Sequence, residues 1–140
     1  MVKIRNFNPV DAERCEQILN LNNQLHYPEI DGKEAMKRIY KRQGRYFLVA
    51  EENRSVVGFV RGVYDGSRAL TWQLSVHPEH QKKGIGKRLI KKLAKRFKED
   101  GAPTISVSVN DKTKDYYKKF GFEEIGVELI LAKIDDVTDS

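Results

Sequence analysis

Leu74-Ser75-Val76-His77-Pro78-Glu79-His80-Gln81-Lys82-Lys83-Gly84-Ile85-Gly86-Lys87 is the stretch on which the fold turns. It closes a β-rich run, Ala69 to Val76, breaks at Pro78, and passes two glycines into an amphipathic run from Ile85 to Lys98. There Ile85, Leu89, Ile90, Leu93, Ala94 and Phe97 keep a helical period and leave the basic residues on the other face. The reading is strand, loop, long helix. At a helix start backbone N–H groups lack intrahelical partners and the dipole is positive, so phosphate binds there readily. Glycines at 84 and 86 let the backbone approach an anion, and Lys82, Lys83 and Lys87 add charge. As a bare pattern, Gly84-Ile85-Gly86 is equally a tight structural turn. Two better-known phosphate loops do not fit: no Gly-Lys-Ser/Thr is present, and Leu89 holds the place of the third dinucleotide-loop glycine.

The charge of the chain is concentrated just beyond this loop. Of 26 basic residues, nine fall between Lys82 and Lys98 with no acidic residue among them, leaving 17 basic against 20 acidic elsewhere. Local basicity of this kind attracts a polyanion, a phosphorylated cofactor or nucleic acid, or is simply a solvated helix face. The chain of 140 residues has no apolar run of about 20, which excludes a membrane-spanning helix. A single cysteine, Cys15, excludes an internal disulfide and fits a reducing, cytoplasmic setting. His26, His77, His80 and Cys15 stand at unrelated spacings and form no metal pattern.

Upstream, Arg45 to Glu51 and Val56 to Tyr64 are β-rich and joined by the turn-like Glu52-Asn53-Arg54-Ser55. Asp65-Gly66-Ser67 gives a second turn, so with Ala69 to Val76 these strands predict an antiparallel meander. Further back, Val2 to Arg5 reads as a short strand. Asn8-Pro9 then caps a helix of about residues 9–25 carrying Cys15, Ile18, Leu19 and Leu25, which His26-Tyr27-Pro28 ends. A shorter helix follows Asp31-Gly32, with Ala35, Met36, Ile39 and Tyr40 inward, and stops near Gly44. Downstream, Thr104 to Val109 is a strand parallel to the one ending at Val76. A short helix from Thr113 to Lys119 ends at Gly121, and Val127 to Ile134 closes as a strand. Residues 1–134 thus form one α+β domain with helices on both faces of a mixed sheet, and the acidic 135–140 is a disordered tail.

Two motifs now combine. Leu74-Ser75-Val76-His77-Pro78 followed by Gln81-Lys82-Lys83-Gly84-Ile85-Gly86 resembles the acetyl-CoA signature of the GNAT acetyltransferases, Gln/Arg-x-x-Gly-x-Gly/Ala after a strand. Asn110, seven residues before Tyr117, and Tyr117-Lys118-Lys119-Phe120-Gly121-Phe122 resemble that family's second segment, Tyr-x-x-x-Gly-Phe. The resemblance runs over essentially residues 1–134 and implies a mostly antiparallel sheet of six to seven strands. It implies that the strand of Leu74, Ser75 and Val76 splays from that of Val107 and Val109. The pantetheine arm of acetyl-CoA would lie between them against the backbone of 74 and 76, as an added strand does. It further implies that Gln81, Lys82, Lys83, Gly84, Ile85, Gly86 and Lys87 cradle the pyrophosphate, that Asn110 contacts the pantetheine arm, and that Tyr117 lies by the thioester sulfur. Read from spacing alone, Asn110 is equally a helix cap and Tyr117 a packed aromatic.

The reaction so implied is direct attack of a primary amine on the thioester, with no metal. The N–H of Leu74 would stabilise the oxyanion and Tyr117 would protonate the thiolate. The flanking strands offer Thr71, Gln73, Ser75, Ser106 and Ser108 but no carboxylate to act as base. That tilts mildly toward an α-amine acceptor, at roughly pKa 8 against roughly 10.4 for a lysine, or toward a water relay in place of a base. His26, Tyr27, Glu29 and Asp31 are candidate acceptor contacts, or His26-Tyr27-Pro28 only ends a helix. The acceptor is thus a protein N-terminal amine, a lysine or a small-molecule amine, and the enzyme a cytoplasmic monomer or homodimer. A non-catalytic CoA-binding sensor shares every feature but turnover. A nucleic-acid binder lacks aromatic residues interleaved with the Lys82–Lys98 lysines.

Overall fold

Central strands buried on both faces build the structure, a computed structural model that describes residues 1–140. The chain divides into two units, Met1–Ser108 and Val109–Ser140. The first contains β1 (Lys3–Asn6), α1 (Ala12–Leu21), α2 (Pro28–Asp31), α3 (Lys33–Gln43), β2 (Phe47–Glu52), β3 (Ser55–Tyr64), β4 (Ala69–Val76), α4 (Ile85–Glu99) and β5 (Ile105–Val107). The five strands form one sheet in sequence order, antiparallel from β1 to β4 and parallel between β4 and β5. Asn53 and Arg54, both left-handed at φ 51° and 66°, make the two-residue turn between β2 and β3.

Phe47 and Val49 of β2 and Val56 and Phe59 of β3 are buried with Phe7, Cys15, Ile18, Leu19 and Met36, so α1 and α3 cover one face. Leu48, Ala50 and Val60, equally buried, alternate with them and face the other side. There α4 lies so close that a Cβ on Gly62 would come 2.9 Å from the Phe97 ring and 2.6 Å from the Leu70 carbonyl. Leu89, Leu93 and Phe97 of α4 are buried, as their spacing predicts.

Two boundaries on the first face differ from expectation. Asn8 does cap, with its side chain accepting from the Val10 N–H and the Asp11 carboxylate accepting from the Asn8 N–H. What it caps, however, is a 3-10 turn, Pro9–Asp11, ahead of α1. That helix stops at Leu21 instead of 25, with Asn23 left-handed at φ 54°. His26-Tyr27-Pro28 does not end it. Pro28 instead opens α2 at a first-turn position, where its missing N–H costs nothing.

The second unit holds α5 (Lys114–Lys118) and α6 (Ile134–Thr138). Tyr116, Tyr117, Phe120 and Phe122 pack edge to face, and the Lys114 ammonium reaches Glu124 at 2.6 Å. The expected strand from Val127 to Ile134 is absent, so the sheet has five strands and not six to seven. Its residues carry β propensity, but a strand exists only by pairing, and Val127, Leu129, Ile130 and Leu131 here lie exposed without a ladder partner. Within 135–140, where a disordered tail was expected, the chain runs through α6 (Ile134–Thr138). Asp135 and Asp136 occupy its first turn, where the dipole favours them, and Thr138 donates back to the Asp135 carbonyl. No helix is long and apolar enough to cross a membrane.

Candidate active site

The open edge of β4 is the feature from which a site can be built. β4 pairs with β5 only at Ala69–Ile105, Leu70–Ser106 and Thr71–Val107, and the Ser108 N–H closes on the Thr71 carbonyl at 3.2 Å. From Trp72 to Val76 that edge has no neighbouring strand. On the other edge, the His77 N–H donates to the Val57 carbonyl at 2.8 Å, while Val76 pairs with Gly58 and Leu74 with Val60. Alternation in an antiparallel ladder then directs the N–H and C=O of Leu74 and Val76 away from β3, into the gap. A register shift opposite Arg61 and Gly62, where β4 contributes Trp72 as the extra residue, lies at the closed end of the gap.

The segment after β4 brings the loop residues together. His77 caps a 3-10 turn, Pro78–His80, by accepting the Glu79 N–H on Nδ1 at 3.1 Å, so its ring serves the backbone. Gln81 turns its side chain back to the Val76 carbonyl at 2.9 Å. Lys82, at φ 64°, and Gly84, at φ 81°, are both left-handed, and Gly84 is the residue before α4. A Cβ on Gly84 would meet nothing within 4 Å, so glycine is needed there for its backbone conformation and the space above it is open. α4 begins with no side-chain cap and no acidic residue in its first turn. Its leading N–H groups, flanked by Lys82 and Lys83, are what an anionic pyrophosphate requires.

Asn110 and Tyr117 lie in the second unit. Asn110 Oδ1 accepts from the Lys112 and Thr113 N–H groups at 2.9 and 3.1 Å, which makes it the cap of the turn into α5. Tyr117 is 7% exposed, its ring edge-on to Tyr116 and Phe122, with no hydrogen bond to its hydroxyl. Burial, reinforced by Tyr116, pushes that phenol up to about 12.

Sequence reasoning missed the polar groups that cross from the α1–α2 connection to β3 and β4. Arg61, 8% exposed, donates from Nη2 to Asp31 Oδ1 at 2.8 Å and from Nε to Gln73 Oε1 at 2.9 Å. Burial lowers its affinity for the proton, and Asp31 offsets that. Of the four candidate acceptor contacts, Asp31 is thus the one engaged on the sheet; Tyr27 and Glu29 are exposed. Asn22, Gln24 and Gln81 bond the Ser75 hydroxyl and the carbonyls of Leu74 and Val76. Asn22 and Gln24 lie 50 to 54 residues from their partners in sequence, and only the carboxylate–guanidinium chemistry of Asp31 and Arg61 carried a signal. No group of three or more His, Cys, Asp or Glu stands together as metal ligands would.

A sheet that opens beside a parallel strand pair, followed by an uncapped, lysine-flanked helix start, is an arrangement suited to a phosphate-bearing ligand. The model of the acetyltransferase (GNAT) domain matches residues 43–124, more than half of the sequence, and the chain belongs to the GNAT acetyltransferase family. It is accordingly an acyltransferase whose cosubstrate is acetyl-CoA. The fold is shared with Ard1 from Thermoplasma volcanium, at 24% identity and TM-score 0.77 over 87% of this chain and 82% of that one. The PaiA N-acetyltransferase from Thermoplasma acidophilum, in complex with coenzyme A, aligns at 21% identity and TM-score 0.75 over 91% and 93%. The diaminobutyrate acetyltransferase EctA from Paenibacillus lautus, with its substrate and coenzyme A, aligns at 18% and 0.72 over 86% and 72%.

Proposed function

We propose that this chain moves the acetyl group of acetyl-CoA to a primary amine by direct attack, the amine being a protein N-terminus, a lysine or a small molecule. The observation that carries the reading is the β4 edge from Trp72 to Val76, which has no neighbouring strand and leads into an uncapped helix start. Acetyl-CoA supplies an activated acyl carbon and a thiolate leaving group. Gln81 to Lys87 bind its pyrophosphate through backbone N–H groups, with Lys82, Lys83 and Lys87 supplying charge. Leu74 and Val76 present backbone N–H groups and Leu74 its C=O to the pantetheine arm, Ser75 lies between them on the strand, and Asn110 contributes its side-chain Nδ2. Leu74 donates its N–H to the oxygen that gains charge as the C–N bond forms. Tyr117 gives its proton to the sulfur as the C–S bond breaks, and the proton lost by the attacking nitrogen passes through water to restore the Tyr117 hydroxyl. With its pKa near 12, Tyr117 stays protonated at neutral pH and acts first as a hydrogen-bond donor, its proton following the charge.

The test is incubation with labelled acetyl-CoA and a panel of peptides and small amines, with α- and ε-acetyl products read by mass spectrometry. Acetylated product that forms only with enzyme is the expected result. Tight CoA binding without any product would leave the site a sensor and sink the transferase reading.

A further inference from the structure

The face of the sheet turned toward α1 and α3 carries two unused sets of hydrogen-bond donors beside the open edge of β4. Arg61 follows Phe59 at a period of two on β3 and so shares its face, and Gln73 stands opposite Arg61 on β4. Arg61 donates from Nε to Gln73 Oε1 at 2.9 Å and from Nη2 to Asp31 Oδ1 at 2.8 Å, which leaves both N–H groups of Nη1 without a partner. Only an oxygen can meet the Nε–H, so that bond fixes the Gln73 amide and turns its Nε2 away, also without a partner. The fully buried polar atoms that lack a partner are Thr71 Oγ1 and His80 Nδ1, and neither of these nitrogens is among them. Both therefore reach the surface.

The pair stands where an amine would enter. Gln73 lies on the stretch of β4 that has no neighbouring strand, one residue before Leu74. At this level α4 closes the other face, since a Cβ on Gly62 would come 2.9 Å from the Phe97 ring. An acceptor approaching an acyl group at Leu74 thus passes Gln73 and Arg61. What these two offer it is donors alone, on a rigid planar cation and an amide. Asp31 restores only part of the proton affinity that burial takes from Arg61, so added negative charge is favoured there. A carboxylate meets both demands, with planar oxygens for the N–H groups and a charge for the guanidinium. We propose that Arg61, with Gln73 beside it, is a specificity-determining residue that binds a carboxylate of the acceptor. The acceptor is then an amine that bears a carboxylate, either a free amino acid or a peptide that opens on Asp or Glu. The proposal rests on the transferase reading and narrows its acceptor.

The test compares matched acceptors with the full chain and acetyl-CoA. One set is free amino acids beside their α-amides; the other is peptides opening on Asp or Glu beside those opening on Asn or Gln. Wild type is measured with Arg61→Lys, which keeps the charge and loses the planar fork, and Gln73→Leu, which leaves the Arg61–Asp31 pair in place. Comparing the carboxylate-to-amide ratio of kcat/KM between enzymes cancels the acceptors' own reactivity. In one of the two sets the wild-type ratio is expected to exceed that of Arg61→Lys by about tenfold or more, the worth of a charge-assisted hydrogen bond, and that of Gln73→Leu by less. The set that shows it names the source of the carboxylate. The change sits in KM for the acceptor, and coenzyme A affinity in calorimetry stays as it was. Ratios equal in all three enzymes, in both sets, overturn the carboxylate site alone. Should neither variant fold, the wild-type peptide set decides, because its α-amines match: a ratio of about ten supports the site and a ratio near one overturns it. Absence of any acetylated amine while coenzyme A binds overturns the transferase reading and the carboxylate site together.

Discussion

Tyr117 separates packing from chemistry in a single atom. Tyr117→Phe keeps the ring against Tyr116 and Phe122 and removes only the hydroxyl. If that hydroxyl serves the departing sulfur, kcat falls by about 10²–10⁴ with acetyl-CoA affinity little changed. Near wild-type kcat, with chemistry rate-limiting, would reduce Tyr117 to a packing residue. Its pKa adds a pH test. Because burial raises it to about 12, the active protonated form persists through the range where an ordinary tyrosine ionises near 10. The ratio of wild-type to Tyr117→Phe kcat should therefore stay flat from pH 7 past 10 and fall only toward 12; a collapse near 10 contradicts the buried setting. Arg61 gives a stability test at the same scale. Asp31→Ala leaves a buried guanidinium without its counter-charge, and urea unfolding should show a loss of about 3 kcal/mol. A loss under about 1 kcal/mol would mean that Arg61 finds solvent freely.

α4 carries two kinds of lysine that only position distinguishes. Lys82 and Lys83 flank its uncapped start, whereas Lys91 and Lys95 line a shallow outer hollow with Ala94, Lys98 and Glu99. Neutralising Lys82 and Lys83 should weaken CoA binding by about 1 kcal/mol or more in calorimetry, and neutralising Lys91 and Lys95 by much less. Equal losses would make the affinity a matter of general basicity. The same elements mark how far the sequence could be read. β4 runs Ala69–Val76 as its β-rich composition predicts, and α4 runs Ile85–Glu99, one residue past its expected end, because local signals suffice for both. α1 ends early because Leu25, though packed against the core, reaches it from beyond the helix. Val127 to Ile134 shows the opposite failure, since β propensity is local and a ladder partner is not. The loop at 81–87 was legible as a motif, but Asn22, Gln24 and Arg61 were not, because their roles exist only across the packed face.

Across the whole chain, charge is divided by task. Nine of the 26 basic residues fall between Lys82 and Lys98, and the rest of the sequence is acidic in balance. A ligand drawn by that basic segment should bind more weakly as salt rises, because exposed charges are screened over about 8 Å at physiological ionic strength. The claim on which all else depends is that the β4 edge and the Gln81–Lys87 loop together hold acetyl-CoA. Thermal unfolding in its presence tests this most directly, because a ligand that binds only the native state stabilises it by mass action. At about 100 times its Kd, acetyl-CoA should add about 2.7 kcal/mol and raise Tm by roughly 8 °C for a domain of this size. In a Gly84→Val, Gly86→Val double variant that still unfolds cooperatively, the rise should vanish. A wild-type Tm indifferent to acetyl-CoA, or an undiminished rise in the double variant, would contradict the account.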